Sequence, residues 1–167
     1  MRTTLYAAYG SNLNIKQMAF RCPTAKPIAK AWLHDHRLVF KGYSRNAHAT
    51  VIPEKGQDVP LVIWEITARD EAALDRYEGV AGGYYTREHV QVEVAGEMKE
   101  VLIYIMTPQD FGTPSYHYFS TVRDGYEDFN FPVDVLNDAL KYSYSESIVY
   151  LKKAGGRKNG NKIHKIS

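Results

Sequence analysis

Alternating apolar and polar positions divide the chain into short strand-like and helix-like segments. Residues Thr3–Tyr9 are rich in β-branched and aromatic side chains and end at a Gly-Ser-Asn sequence, which predicts a strand followed by a tight turn. Three further apolar runs are separated by Gly, Pro and Asp turn signals, and two alternating segments meet at Ala95-Gly96-Glu97 as an antiparallel pair. The three runs are Trp32–Lys41, Ala49–Pro53 and Leu61–Ile66, and the paired segments are Thr86–Val94 and Glu100–Met106.

Four other segments have the composition and end signals of helices. The first can be capped by Asn12 or Asn14, the second by Thr67, and the last two each open with a proline. The mixed order of strands and helices is neither a βαβ alternation nor a pure meander. It predicts an α+β domain built on a mostly antiparallel sheet or barrel. The predicted helices are Ile15–Arg21, Ala68–Tyr77, Pro114–Phe129 and Pro132–Tyr144.

Length and charge refine this interpretation. A chain of 167 residues that is 44% hydrophobic is typical of one folded domain, which we place at residues 1–150. Residues 151–167 hold six of the 21 Lys and Arg residues and are predicted to be a flexible basic tail, leaving 15 basic against 19 acidic residues in the domain. A mildly acidic domain offers no broad basic face, so nucleic-acid binding is not expected of it.

The cysteine count and the apolar runs indicate the compartment. Cys22 is the only cysteine, which excludes an intramolecular disulfide and fits a reducing environment. No signal-length apolar run precedes Gly10, and the later apolar runs are too short to span a bilayer. The sequence therefore predicts a cytoplasmic protein with no membrane association. The oligomeric state is not indicated, because no coiled-coil heptad is evident.

The first candidate for chemistry is the glycine turn after the first strand, Tyr9-Gly10-Ser11-Asn12-Leu13. Consecutive backbone N–H groups at such a turn form a concavity suited to a carboxylate or a phosphate, and Gly10 permits close approach of a ligand. The segment lacks the longer fingerprint of a phosphate loop or a dinucleotide fold. On its own the turn is equally compatible with a structural role.

The second candidate is Glu78, at the end of a predicted helix and directly before Gly79. A carboxylate at that position opposes the helix macrodipole, at a cost of roughly 0.3–1 kcal/mol. Burial among aromatic neighbours would raise its pKa toward neutrality, as general acid–base catalysis requires. The alternative is a solvated glutamate at a frayed helix end.

The remaining candidates are less specific. Tyrosine hydroxyls near Tyr85 and Tyr118 can orient a substrate amide, although most of the thirteen tyrosines are expected to be packing residues. His34 and His36 share a strand face without a third ligand, so neither a metal nor a cofactor is expected. Cys22 has no partner histidine and is expected to be a core residue.

Together these motifs resemble the γ-glutamyl cyclotransferase family. The resemblance covers residues 5–142 in unbroken order, which makes it more specific than any single motif. It rests on a YGSNL-type loop, on a Glu-Gly-Val segment preceded by Leu-Asp and followed by Gly-x-Tyr, on a Tyr-x-Met-Thr strand end and on a Pro-Ser-x-x-Tyr helix start. These are Tyr9–Leu13, Glu78–Val80 with Leu74, Asp75 and Gly83–Tyr85, Tyr104–Thr107 and Pro114–Tyr118.

The resemblance implies a small mixed β-barrel with flanking helices and a cavity between the loop and the glutamate. Glu78 would be the single catalytic acid/base in cyclising a γ-glutamyl group to 5-oxoproline, with release of an amine or amino acid and without a metal or cofactor. The α-carboxylate of a small γ-glutamyl substrate would be held by Gly10, Ser11, Asn12 and Leu13. Tyr85 and Tyr118 would line the cavity, Tyr9 would form a wall, and the segments 42–46 and 107–113 would lie at its rim.

Three questions stay open at this level. The family resemblance spans members that act on γ-glutamyl amino acids, γ-glutamyl amines and γ-glutamylated antibiotic intermediates, and a larger target such as a modified protein side chain is also compatible. A non-catalytic binding module whose basic tail contacts an acidic partner is the alternative from another functional class. Deleting residues 152–167 is expected to leave catalysis unchanged if the tail is a solvated appendage.

Overall fold

Five strands form one mixed sheet in the order β2-β3-β1-β5-β4. The computed structural model describes the backbone of residues 1–43 and 45–160, and the side chains within that part up to residue 155. All neighbouring strands are antiparallel except β1 and β5, which are parallel. The strands are β1 Thr3–Ala8, β2 Lys26–Tyr43, β3 Asn46–Thr67, β4 Tyr85–Val94 and β5 Glu97–Met106.

The predicted α+β class with a mixed, mostly antiparallel sheet is confirmed. The sheet is not a fully hydrogen-bonded barrel, because in the described part of the chain β2 and β4 are its two edges. β1 lies at the centre and pairs with β3 from Thr3 opposite Thr67 to Ala8 opposite Val62.

The prediction of two separate strands at Ala49–Pro53 and Leu61–Ile66 is wrong, since both belong to the single 22-residue strand β3. The Gly and Asp residues between them form an irregularity in the β2–β3 pairing instead of ending a strand. There, four residues of β3 are opposite Asp35 alone, and the Gly56 N–H donates to the Asp35 carboxylate at 2.9 Å. Positive φ angles of 57° at Asp35 and 84° at Gly56 allow this excursion without breaking the hairpin.

Within the described residues, four α-helices flank the sheet: α1 Ile15–Arg21, α2 Ala68–Tyr77, α3 Tyr116–Asp128 and α4 Val133–Gly160. The predicted bounds of α1 and α2 are confirmed. Asn14, and not Asn12, caps α1 by accepting from the Gln17 N–H at 3.0 Å. Thr67 and Asp70 form a reciprocal capping box at the start of α2.

The last helix is longer than predicted. We expected it to end at Tyr144, but it continues to Gly160, since no proline interrupts it and the Gly155-Gly156 pair does not end it. The first part of the basic segment, residues 151–160, is therefore helical backbone. Residues 161–167 lie outside the described residues, and the domain boundary at residue 150 remains a prediction.

Helix α3 fixes the turn that follows β1. Gly125 lies so close to that turn that a Cβ added there would be 2.6 Å from the Leu13 Cβ and 2.8 Å from the Asn14 backbone nitrogen. Leu13 is fully buried at this contact. The turn after β1 is thus packed against helix α3. Close packing of this kind makes the turn rigid.

Two smaller expectations concern Cys22 and the membrane. Cys22 is buried, its thiol donates to the Asp70 carbonyl at 3.6 Å, and burial raises its pKa to about 11, as expected of a core residue. None of the helices within the described residues combines the length and apolar character needed to cross a bilayer.

Candidate active site

A cavity of about 140 Å³ opens at the end of β1, between the turn after that strand and the end of α2. Its walls are mostly tyrosine, and it brings together the turn, the candidate glutamate and both candidate tyrosines. The lining residues are Tyr6, Tyr9, Gly10, Ser11, Asn12, His48, Ala49, Tyr77, Glu78, Tyr84, Tyr85, Tyr104 and Tyr118.

The local sequence after α2 places Glu78 in this cavity. Glu78 is the C-cap residue directly after α2, and Gly79 follows with a φ of +65°. The Val80 N–H donates to the Asp75 carbonyl at 3.0 Å and the Gly79 N–H donates to the Arg76 carbonyl at 3.2 Å, the pair of bonds that defines a Schellman ending. Because the chain reverses there, the carboxyl group stays beside the cavity.

The surroundings of Glu78 suit proton transfer at neutral pH. Burial raises the pKa of Glu78 to about 7, and the Arg21 guanidinium acts in the opposite direction by favouring the charged form. The Asn12 amide NH₂ group lies 3.5 Å from the Glu78 Oε1 atom. A carboxyl group with a pKa near 7 can both accept and return a proton under physiological conditions.

The turn after β1 is a single 3₁₀ turn, Ser11–Leu13. The Leu13 N–H donates to the Gly10 carbonyl and the Asn14 N–H to the Ser11 carbonyl, whereas the N–H groups of Ser11 and Asn12 have no partner within the turn. The side chain of Leu13 packs in the core and does not line the cavity. Of the four residues expected to bind the carboxylate, Leu13 alone is therefore not brought to the cavity.

Three tyrosine hydroxyls are held by the backbone. Tyr9 donates to the Tyr104 carbonyl, and Tyr85 donates to the Ala49 carbonyl at 2.6 Å. Tyr118 has the opposite role, since its hydroxyl oxygen accepts from the Ala49 N–H at 3.0 Å and keeps its own proton. Burial raises the pKa of Tyr118 well above its ordinary value, so that proton is available to a ligand at neutral pH.

Arg21 is a site residue that the sequence analysis missed. Its guanidinium donates to the Ser11 hydroxyl at 3.2 Å and to the Asn12 amide oxygen, and it stacks 3.3 Å from the centre of the Tyr77 ring. With its oxygen engaged by Arg21, the Asn12 amide presents its NH₂ group to the Tyr6 hydroxyl at 3.0 Å and to the Glu78 Oε1 atom at 3.5 Å. A basic residue in the last turn of a helix is ordinarily assigned to the helix dipole, so no distinct signal in the sequence pointed to this role.

His48 was also missed, and Tyr84, which belongs to the Gly83–Tyr85 motif, was not named as a site residue. The His48 Nδ1 atom lies 3.0 Å from the Tyr84 hydroxyl, and its ring meets the Tyr118 ring edge-on at 4.8 Å between centroids. Burial lowers the pKa of His48, which favours the neutral imidazole at pH 7. By contrast, His34 lies outside this cavity and pairs with Asp58 at 2.8 Å.

A polar network behind the cavity anchors the end of α2. The Tyr104 hydroxyl donates to one oxygen of Asp75 at 2.6 Å, and the Arg87 guanidinium donates to the other at 2.6 Å. Arg87 also pairs with Glu71 one turn earlier on α2. These bonds connect α2 to β4 and β5 and hold the segment before Glu78 in place.

The part of the chain that forms the cavity matches a known protein family. The family model described as "Gamma-glutamyl cyclotransferase, AIG2-like" matches residues 6–121, which include the turn, Glu78 and Tyr118. The chain belongs to the γ-glutamyl cyclotransferase family. It is 32% identical over 139 residues to proteins named gamma-glutamylcyclotransferase from Mus musculus and Homo sapiens, a match covering 78% of this chain and 73% of each relative.

The likeness to the γ-glutamyl cyclotransferase family extends to solved structures. A structure titled "Gamma-glutamyl cyclotransferase" superposes with a TM-score of 0.75 and 27% identity, covering 83% of this chain and 86% of that one. The resemblance inferred from the motifs is thereby confirmed at the level of family and fold.

For this family member we predict that replacing Arg21 with glutamine moves the pH dependence of catalysis. Loss of the guanidinium removes a charge that favours ionised Glu78, so the pKa of Glu78 rises and the acidic limb of the kcat/KM profile shifts to higher pH. The pH profile of kcat/KM measures this shift. The exposed Lys16 on the same helix provides the control, since Lys16→Gln is expected to leave the profile in place. An unshifted profile in R21Q would show that the charge of Arg21 does not set the pKa of Glu78 in catalysis.

Proposed function

We propose that this protein is a γ-glutamyl cyclotransferase that converts the γ-glutamyl group of a small substrate into 5-oxoproline and releases the attached amine or amino acid. The observation that carries the proposal is the carboxyl group of Glu78, whose pKa of about 7 matches acid–base work, facing a turn with unused backbone N–H groups across a small cavity.

In the proposed complex the substrate's α-carboxylate binds at the turn. The N–H groups of Ser11 and Asn12 and the hydroxyl of Tyr118 are donors of the kind that a carboxylate accepts. Tyr118 is within reach of the turn, because a Cβ added at Gly10 would lie 3.3 Å from its hydroxyl oxygen. Any side chain at position 10 would occupy the space that the ligand needs.

The proposed reaction uses the substrate's own amine as the nucleophile. Ionised Glu78 takes one proton from the α-ammonium, and the resulting amine attacks the γ-carbonyl carbon to form the C–N bond of a five-membered ring. The bond from that carbon to the departing nitrogen then breaks as protonated Glu78 returns this proton to the leaving amine. The ring nitrogen gives its second proton to Glu78, from which the released amine takes it up to become an ammonium. One carboxyl group serves both steps, and no covalent enzyme intermediate forms.

Replacing Tyr118 with phenylalanine is expected to raise KM about tenfold with a smaller change in kcat. The substitution removes one hydrogen bond to a charged group, worth about 1.5–3 kcal/mol, from the ground state and the transition state alike. Steady-state kinetics with one γ-glutamyl dipeptide measures the effect. Tyr116→Phe, at an exposed position on the same helix, should retain the wild-type KM. An unchanged KM in Y118F would remove Tyr118 from the binding site.

A paired-substrate assay tests the function itself. We expect 5-oxoproline release from γ-glutamyl dipeptides, and no amine release from the matching glutaryl amides, which lack the α-amine and hence the nucleophile. Amine release from both sets would show that water or an enzyme group attacks the carbonyl, and would contradict the cyclisation. Release from neither set would favour the alternative of a non-catalytic binding module.

A further inference from the structure

A second and larger cavity lies next to the catalytic one. It is a groove of about 550 Å³ between the tip of the β2–β3 hairpin, the segment 109–113 and the C-terminal half of α4. Aromatic and aliphatic side chains dominate its walls, among them Tyr43, Phe111, Tyr144, Ile148 and Leu151. Tyr43 is 78% exposed and Tyr144 55% exposed, so large apolar surfaces remain accessible to a ligand.

The two cavities meet at a contact between Tyr84 and Gly42. Tyr84 lines the catalytic cavity, while Gly42 lines the groove. The two residues touch, since a Cβ added at Gly42 would lie 2.7 Å from the Tyr84 hydroxyl oxygen. Gly42 has a φ of +117°, a conformation that favours glycine and brings the hairpin backbone against that hydroxyl.

The segment under the groove is held by backbone contacts. The Gly42 N–H donates to the Asp110 carbonyl at 2.9 Å, and Lys41 pairs with Phe111 in a short β-bridge. The Lys41 ammonium also lies 4.5 Å from the centre of the Phe111 ring. Because this part of the wall is already held in place, the protein loses little conformational entropy when a ligand binds against it.

The sizes of the two cavities indicate what the groove is for. Ligand pockets usually measure about 300–1,000 Å³, whereas the catalytic cavity has only about 140 Å³. It holds little more than the γ-glutamyl group, so the departing amine of the substrate must extend beyond it. The groove is the neighbouring space, since its lining residue Gly42 touches Tyr84 of the catalytic cavity.

We propose that the groove binds the leaving amine of the substrate and selects amines that carry an aromatic or bulky aliphatic group. This inference rests on the proposed function and names the substrate class for the same site. The groove contains both Arg45 and Asp110, charges of opposite sign, so apolar contact and not net charge sets the preference.

The test compares two substrates that differ only in the leaving amino acid, γ-glutamyl-phenylalanine and γ-glutamyl-alanine. Wild-type kcat/KM is expected to be about tenfold higher for the phenylalanine substrate, as for a large side chain in an apolar pocket. In the double variant Tyr43→Ala, Tyr144→Ala the ratio should fall toward one, because kcat/KM for the phenylalanine substrate should fall more than kcat/KM for the alanine substrate. Tyr116→Ala, at an exposed position on α3 outside the groove, should keep the wild-type ratio.

The other outcomes separate this inference from the function on which it rests. Release of 5-oxoproline from both substrates with equal kcat/KM, or a ratio unchanged in the folded double variant, overturns the groove assignment alone. No 5-oxoproline from either substrate overturns the proposed function and the groove assignment with it. The wild type could also prove to be a dimer that the double substitution dissociates without altering the ratio. That result would make the groove an interface between two copies of the chain and overturn ligand binding there.

Discussion

Glu78→Gln is expected to lower kcat/KM for 5-oxoproline release by about 10²–10⁴-fold, the usual contribution of a positioned acid–base group. Glutamine has the size of glutamate and keeps the end of α2 intact, but it can neither accept the proton of the α-ammonium nor return one to the leaving amine. Steady-state release of 5-oxoproline measures the effect. Glu100→Gln, at an exposed position on β5, should have wild-type kinetics.

The same variant has a stability signature that a solvent-exposed glutamate would not give. The folded-state pKa of Glu78, about 7, lies above its ordinary value of 4.5, so the folded protein binds more protons than the unfolded chain between these pH values. Wild-type stability therefore falls as pH rises from 4.5 to 7, and Glu78→Gln should melt higher than wild type above pH 7 but not near pH 4.5. Near-wild-type turnover in E78Q would remove Glu78 from the mechanism.

Gly125→Ala is expected to destabilise the protein by about 1–3 kcal/mol and to reduce activity as well. A Cβ at this position would lie 2.6 Å from the Leu13 Cβ and 2.8 Å from the Asn14 backbone nitrogen, so either α3 or the turn after β1 must move. Movement of that turn displaces the N–H groups of Ser11 and Asn12 from the proposed carboxylate site. Thermal unfolding and kcat/KM on the same preparation measure both effects.

The control for that substitution is Gly155→Ala on α4, where nothing lies within 4 Å of the added Cβ. Alanine at an open helical position should stabilise the protein slightly, by about 0.5–1 kcal/mol, and leave kcat/KM unchanged. If Gly125→Ala melted like wild type and retained full activity, the close packing of α3 against the turn would not matter to the site.

The features that sequence reasoning recovered are those encoded by neighbouring residues. Helix α2 was predicted with its true bounds, because Thr67 and Asp70 form a local capping box and Gly79 supplies the positive φ that ends the helix. The position of Glu78 follows from that helix end. The resemblance of the motifs then predicted the family, which the family model confirms. That resemblance also placed the turn after β1 and Glu78, which lie far apart in the chain, at one cavity.

The features that sequence reasoning missed depend on contacts between distant segments. β3 is continuous because it pairs with β2 on both sides of the irregularity at residues 54–57. Without that pairing, the Gly and Asp turn signals there would end the strand. Leu13 was expected at the ligand because it belongs to the loop motif, yet the approach of Gly125 draws it into the core. The hydrogen bond from Arg21 to Asn12 likewise requires α1 to fold back over the turn.

The most direct test of the cyclotransferase proposal is the identity of the released product when γ-glutamyl-phenylalanine is turned over in ¹⁸O-labelled water. If the substrate's amine is the nucleophile, mass spectrometry should show 5-oxoproline without ¹⁸O and an equal amount of phenylalanine. Glutamate carrying ¹⁸O would instead show hydrolysis by water and would contradict the mechanism assigned to Glu78 and its cavity.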